Sequence, residues 1–383
     1  MCLLGSRSSR GADSPVEVHG FVSQGAIKST ANNYLADSKR GSFEFSEVGI
    51  NFTKSMTDEL RVGMQLYMRD LGPVGNYTPH FDWFYLDYRF WDWLGIRAGR
   101  TKLPFGLYNE NSDIDSARVP ILLPQSVYPI TSRDYLLAQT GVEVYGRVPL
   151  DAAGSLEYRA YGGTIYFDIT PAQAATIPRV NVPYLIGGRL MWQTPLEGLQ
   201  AGGSLQALRL DLDYSPPAAL IANLQMAGQL PANYRAPFGV KLPAVLAVGS
   251  VEYQAGDLLV AAEYSRWHVI TESPYPVIVP NSDVVSERGY VMTSYRVLPW
   301  LSPGVYYSVL FKNVDNRTAT RDLYQHDVAA TLRFDLNDHW LVKLEGHYLN
   351  GTGALSSGLN DNKPTGTLTK DWGLFLVKTT AYF

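Results

Sequence analysis

The residue types that usually perform chemistry are scattered along this chain. Its six histidines are His19, His80, His268, His326, His339 and His347. None of them shares the short spacing of a zinc site, and no Gly-x-Ser-x-Gly elbow or phosphate-binding glycine loop is present. His347 follows Glu345 by two residues, which on a strand equally describes two neighbours on one polar face. We therefore expect no catalytic residue, no metal site and no cofactor.

The charged side chains form a clearer pattern than the histidines do. Several arginines occupy alternate positions along predicted strands, on the same side as other polar residues. Acidic residues cluster at Glu110, Asp113 and Asp115, shortly after Arg100 and Lys102. Alternation places five further arginines on a polar face: Arg61, Arg97, Arg147, Arg159 and Arg189. A basic wall opposite an acidic segment would create a field across the space between them and orient dipolar solutes there. The alternative is that these charges pair with one another in a hydrated space.

Strands are the elements that must position these charges. Period-2 alternation of apolar and polar residues is the strongest signal, as in residues 60–69 and 327–334. The segments have about ten residues, the length that a tilted strand needs to cross a bilayer. We predict sixteen strands, at 16–27, 43–54, 59–69, 80–90, 94–103, 138–148, 154–163, 184–194, 199–210, 243–253, 257–267, 286–297, 302–312, 326–335, 339–349 and 371–383.

The connections between these strands alternate in length. Those after even-numbered strands are short, and those after odd-numbered strands run from about ten to more than thirty residues. This alternation is typical of an all-β transmembrane antiparallel barrel with tight turns on one side and long loops on the other. The alternative is a soluble β-sandwich, which would not keep the long loops on one side or carry an apolar face on every strand.

Composition is compatible with this fold class. Hydrophobic residues make up 46% and charged residues 18% of the 383 residues, and the formal net charge is −4. Nothing favours nucleic acid, which requires a strongly basic face. The charge-free run 214–234 contains three prolines and is rejected as a membrane helix. The single cysteine, Cys2, excludes an internal disulfide.

The amino terminus differs in character from the rest. Residues 1–12 contain Arg7 and Arg10 and only a short apolar patch, too little for a signal-peptide core. We expect 1–12 to be a disordered leader or remnant, with the mature chain beginning near Ala12 or Asp13. The remainder, 13–383, is expected to form one barrel domain with a long outer loop at 211–242.

The last strand, Trp372 to Phe383, resembles the carboxy-terminal signal of bacterial outer-membrane proteins. Such a strand is amphipathic and ends in an aromatic residue that the barrel-assembly machinery recognises. By alternation Phe375, Val377 and Phe383 would face lipid, and Lys378 would face the lumen. Pairing of this strand with the first one would close the wall. Trp91, Trp93, Trp300, Trp340 and Trp372 fall near strand ends and are expected at the headgroup level.

Two further stretches resemble the porin superfamily. Residues 99–106 (GRTKLPFG) are similar to a stretch of phosphate-selective and related porins, without a dense lysine ladder that would indicate phosphate. Residues 123–128 and 140–146 resemble uncharacterised porin-like families of proteobacteria. The resemblance implies a homotrimer of 16-stranded barrels. It also implies that the third outer loop, 108–137, folds into the lumen and narrows it.

These expectations converge on a passive diffusion channel for ions and small polar solutes in the bacterial outer membrane. Its partners would be outer-membrane lipid, lipopolysaccharide and the assembly machinery. Glu110, Asp113 and Asp115 would face the arginines across the constriction, with Arg100 and Lys102 nearest the root of the loop. Two alternatives stay open: a channel selective for anions or small organic acids, and a plugged structural barrel.

Overall fold

Sixteen strands form one antiparallel sheet that closes into a barrel in the computed structural model. The structure describes residues 15–132, 136–167, 169, 174–231 and 233–383. The strands are β1 (Glu17–Ser29), β2 (Phe45–Ser55), β3 (Leu60–Leu71), β4 (His80–Trp91), β5 (Leu94–Lys102), β6 (Ala138–Pro149), β7 (Ser155–Thr164), β8 (Arg179–Gln193), β9 (Leu199–Tyr214), β10 (Phe238–Ala255), β11 (Leu258–Thr271), β12 (Ser282–Tyr295), β13 (Leu301–Phe311), β14 (Tyr324–Asn337), β15 (Trp340–Gly351) and β16 (Asp371–Tyr382). The predicted fold class and strand count are confirmed. The predicted leader, 1–12, lies outside the described residues.

The first and last strands close the wall. They pair antiparallel from Phe21 opposite Tyr382 to Ser29 opposite Leu374, which confirms the predicted pairing. Every other strand pairs with its neighbours in chain order. A closed sheet has no edge, so the backbone groups of all sixteen strands find partners within the wall.

Connections differ sharply between the two ends of the barrel. Those after even-numbered strands form the short-connection end, as between β10 and β11, where Gly256 and Asp257 alone make the turn. Gly256 has a φ of 58°, a conformation that favours glycine. Connections at the long-connection end include 103–137, 215–237 and 352–370, and the helix α1 (Ala218–Met226) lies within the second of these. Among the described residues, no helix has the length and apolar character needed to cross a membrane.

Strands β8 to β12 extend further toward the long-connection end than the sequence indicated. The predicted long outer loop 211–242 is therefore too wide, and the connection between β9 and β10 is 215–237. Leu210 pairs with Leu242 and Leu212 with Val240, so the ladder continues past the predicted boundary. Asp211 and Asp213, which fall in the predicted loop, continue the pairing of β9 with β10.

Each strand has one buried face and one exposed face. On β16, Phe375 and Val377 are 57% and 47% exposed, and Phe383 directly after the strand is 61% exposed, whereas Lys378 is buried. The exposed face is largely apolar and the buried face carries many polar groups, which is the reverse of a soluble protein.

Aromatic residues mark the short-connection end of the exposed face. Trp300 and Trp340 are about half exposed, and Trp91 stacks on Trp93 with ring centroids 5.2 Å apart. Trp372 does not join them, contrary to expectation. It lies at the opposite end on the buried face, packs against Tyr34 and donates its indole N–H to the carbonyl of Gly351 at 3.2 Å.

Candidate functional site

The connection between β5 and β6, residues 103–137, makes the most extensive contacts of any connection. We call it the long segment. Its hydrogen-bond or ion-pair partners lie on β1, β3, β5, β7, β8, β9, β10, β11, β12, β13, β14, β15 and β16. All of these partners are on the buried faces of their strands. Four groups of contacts organise the segment: through Glu110, through Asp113 and Asp115, through its apolar second half, and through Leu107 and Tyr128.

Glu110 lies between two arginines of neighbouring strands. One of its carboxylate oxygens is 3.1 Å from Arg159 Nη2, and the other is 3.2 Å from Arg189 Nη1. Arg189 also pairs with Glu157 at 3.0 Å. The Glu110 side chain remains 23% exposed, so water reaches this contact.

The ion pairs continue along the wall from Arg159. Its guanidinium lies 2.8 Å from Glu143, which is 3.3 Å from Arg97, and Arg97 is 3.0 Å from Asp87. The register explains the continuity, because Asp87, Arg97 and Glu143 face one another across β4, β5 and β6. We call this alternating set the arginine–carboxylate row: Asp87, Arg97, Glu143, Arg159, Glu110, Arg189 and Glu157.

Asp113 and Asp115 have a different environment from Glu110. Asp113 accepts from Lys102 Nζ at 2.5 Å and from Gln65 at 2.8 Å. Both aspartates are 2% exposed. The prediction that all three acids line water is therefore wrong for these two. A carboxylate so buried must be compensated by a cation or by donors, and the chain supplies both.

Asp115 is held by lysines from the last two strands. Its Oδ2 is 2.6 Å from Lys378 Nζ and also accepts from Thr380 and Ser23. Lys343 Nζ donates to the Asp115 carbonyl at 2.8 Å and is 3.9 Å from its carboxylate. Burial alone would raise the pKa of Asp115, but Lys378 and Lys343 hold that pKa well below its usual range.

The apolar second half of the long segment is anchored by one carboxylate. The backbone N–H groups of Ile121 and Leu122 donate to Glu345 at 2.6 and 2.9 Å. His347 Nε2 lies 3.0 Å from the same carboxylate and its Nδ1 lies 2.9 Å from Asp327. The His347–Glu345 pair therefore orients the carboxylate that holds the backbone of the segment. The side chains of Glu345, His347 and Asp327 are all buried.

The first part of the segment and Tyr128 converge on Glu263. Tyr128 and Tyr290 donate to this buried carboxylate, and the Leu107 N–H donates to it at 2.9 Å. Burial and the neighbouring Glu263 hold the pKa of the Tyr128 hydroxyl well above its usual range. Alternation could not identify Glu263 and Glu345 as anchors, because it says nothing about which loop a side chain meets.

Two predicted site arginines lie elsewhere. Arg61 is 3.9 Å from Glu17, and both side chains are more than half exposed. Arg147 donates from Nε to Ser155 Oγ at 3.0 Å. Each lies near the short-connection end, away from Glu110, so neither can contribute to a constriction formed by the long segment. Alternation fixes the face of a side chain but not its height along the barrel.

The remaining predicted residues lie near the start of the segment. Lys102 also donates to the Glu110 carbonyl at 2.8 Å. Arg100 donates from Nε to the carbonyl of Asp82 at 2.9 Å. Asp82 is the extra residue where the β3–β4 register shifts, and this bulge turns it to the buried side. Within the described ranges, no group of three or more His, Cys, Asp or Glu side chains could hold a metal ion.

Comparison with solved structures identifies the fold. OmpT of Vibrio cholerae matches with a TM-score of 0.60 and 12% identity, covering 96% of this chain and 97% of that one. The chain has the fold of an outer-membrane porin. An anion-selective porin from Comamonas acidovorans matches this porin fold with a TM-score of 0.57 and 11% identity over 96% and 99% of the two chains. The channel DcaP of Acinetobacter baumannii matches with a TM-score of 0.56 and 12% identity over 96% and 97%.

Sequence comparisons did not detect this relationship. No protein-family model matches the chain, and no curated protein matches it by sequence. The resemblance read from residues 99–106 and from the last strand is confirmed at the level of the fold.

Proposed function

We propose that this protein is an outer-membrane channel through which ions and small polar solutes diffuse passively. The observation that carries the proposal is the division of the buried face into two parts. The long segment packs against much of the wall through two apolar clusters, whereas on β4–β8 the arginine–carboxylate row keeps partly exposed charges. A water-accessible row of fixed charges inside a closed wall is the usual lining of an ion-conducting pore.

The long segment would form the constriction of this channel. A segment with partners on thirteen strands of a closed barrel is best accommodated in the lumen. Glu110 would be its contribution to the lining, facing Arg159 and Arg189. Asp113 and Asp115 would instead fix the segment to the wall. Solutes would therefore pass along β4–β8.

The exposed face supports the location in an outer membrane. Apolar side chains and half-exposed tryptophans on that face suit lipid and the headgroup level, respectively. Phe375, Val377 and Phe383 would present the assembly signal on the same face. We propose lipid, lipopolysaccharide and the barrel-assembly machinery as partners, a homotrimer as the assembly, a Gram-negative source and no enzymatic activity.

A second candidate is a barrel occluded by its own loop. The observation in its favour is the burial of many side chains on the inner faces of β11–β16, including Ser265, Leu341 and Leu374, none of which is exposed. Such a barrel would be structural rather than conducting.

Recording from purified protein in planar bilayers separates the two candidates. We expect discrete conductance steps that depend linearly on voltage in KCl. A protein that inserts but gives no steps would contradict the channel and favour the occluded barrel. Insertion should be checked independently by protease protection, so that silence is not mistaken for failure to incorporate.

A further inference from the structure

A second polar space lies at the short-connection end, separate from the long segment. It is a chamber of about 590 Å³ bounded by β4, β5, β6 and β7 and by their turns. Its charged lining consists of Arg89, Arg97, Arg147, Arg159, Asp92 and Glu157. Four guanidinium groups thus meet two carboxylates around one open cavity.

Half of these groups already have partners. Arg97 and Arg159 belong to the arginine–carboxylate row, and Glu157 pairs with Arg189 at 3.0 Å. Arg89, Arg147 and Asp92 remain. In the portion of the chain that the structure describes, neither Arg89 nor Arg147 forms an ion pair with a carboxylate.

Arg89 and Arg147 are placed to act together. Gly95 pairs with Arg89 on one side and with Tyr145 on the other, and Arg147 follows Tyr145 by two residues. Both arginines therefore lie on the same face, on β4 and β6, the two strands that flank β5, and both line the chamber. The ring of Tyr145 lies over Gly95 between these two strands. Arg147 uses only its Nε, to Ser155. Its two Nη groups are left to meet water or a ligand.

We propose that this chamber is a binding site for small dianionic oxyanions, with Arg89 and Arg147 as its principal ligands. Guanidinium groups hold carboxylate-type oxygens through paired N–H donors, which gives both strength and orientation. Two guanidiniums without carboxylate partners match two negative charges. Ser155 adds a hydroxyl group to the lining, whereas the Tyr145 hydroxyl donates to Asp87. Asp92 on the rim opposes the anion.

This site differs from the proposed constriction in both position and charge balance. In the arginine–carboxylate row each arginine contacts two carboxylates, so an incoming anion must displace one of them. In the chamber an anion can bind Arg89 or Arg147 without displacing a carboxylate. The inference rests on the proposed function only for access, because solutes would reach the chamber through the channel or its mouth.

The test uses malonate as an organic dianion and sulfate as an inorganic one, titrated into the purified full-length protein by calorimetry. Wild type is compared with the double variant Arg89→Gln/Arg147→Gln, with Asp92→Asn, and with Arg179→Gln as a control. Arg179 is an exposed arginine paired with Asp213 at the long-connection end. Loss of a charge-assisted hydrogen bond should weaken binding about tenfold for each arginine removed.

We expect the double variant to lose binding, Asp92→Asn to tighten it, and Arg179→Gln to leave it unchanged. Binding of malonate but not sulfate would identify an organic acid as the ligand, and binding of both would identify the shared oxyanion chemistry. Equal affinity in wild type and the double variant, or no binding to wild type, overturns the inference. Calorimetry does not require conduction. A bilayer recording without conductance steps would therefore contradict the channel proposal without affecting this test of anion binding in the chamber.

Discussion

Asp115 and Lys378 lie 2.6 Å apart, although one belongs to the connection after the fifth strand and the other to the last strand. Both side chains are only 1% exposed. The pair therefore joins the long segment to the strand that closes the barrel. Lys343 on β15 and Glu47 on β2 complete a buried charge network around it.

Replacing Asp115 by asparagine should loosen the long segment and destabilise the barrel. The change leaves Lys343 and Lys378 buried with one carboxylate fewer, and removal of one partner from a buried pair typically costs about 3–5 kcal/mol. Thermal unfolding in detergent, followed by circular dichroism, should show a clear drop in the melting temperature. Asp361→Asn is a suitable control, because that aspartate pairs with Lys363 on the surface with both side chains mostly exposed. An equal melting temperature for the two variants would mean that the buried pair contributes little.

The same carboxylate predicts how stability depends on pH. A group whose pKa is lower in the folded state contributes stability above its unfolded pKa, about 3.9 for aspartate, and loses it as the pH falls through the folded pKa. The pKa of Asp115 is lowered in the fold. We expect its contribution to be constant from neutral pH to about 4 and to decline only below that. The difference in melting temperature between wild type and Asp115→Asn measures this contribution, and a decline already between pH 7 and 5 would contradict the assignment.

Ion selectivity should respond to Glu110 and not to its two acidic neighbours. Glu110→Gln leaves Arg159 and Arg189 with less negative charge in a water-accessible place, so the reversal potential in a KCl gradient should shift toward anions. Asp113→Asn should change it little, because Asp113 is buried against Lys102. A larger shift from Asp113→Asn than from Glu110→Gln would place the pathway elsewhere.

A disulfide can report where the long segment lies. Ser126 of the segment and Ser308 of β13 have their hydroxyl oxygens 2.7 Å apart, and both side chains are buried. The variant Ser126→Cys/Ser308→Cys, with Cys2→Ser to remove the native thiol, should form a disulfide in assembled barrels without added catalyst. Peptide mapping detects it. Free thiols at both positions in the folded barrel would show that the segment does not pack on that strand.

Sequence alternation was sufficient for much of the fold. It predicted all sixteen strands, and the orientations of Phe375 and Lys378 follow from it, because a membrane wall enforces one apolar and one polar face. It underestimated β9 and β10, where Asp211 and Asp213 continue the ladder beyond the predicted end of the strand at 210.

The candidate site could be predicted less well from sequence alternation. Alternation could not distinguish Arg159, which meets Glu110, from Arg147, which lies near a turn, because both share a face and differ in height. Nor could it separate Glu110 from Asp115. Asp115 is buried against lysines that are more than two hundred residues away in the chain and come near only when the barrel closes, whereas Glu110 meets arginines and stays partly exposed.

The central claim is that solutes pass along the arginine–carboxylate row, and one cysteine tests it most directly. Glu157 lies at the end of the row, with a side chain 38% exposed. In a Cys2→Ser background, Glu157→Cys should react with a negatively charged methanethiosulfonate, and each modification should lower the single-channel conductance in a discrete step. Thr293→Cys, on the exposed face of β12, provides the matched control and should give no step. Complete modification at position 157 with unchanged conductance would contradict the account.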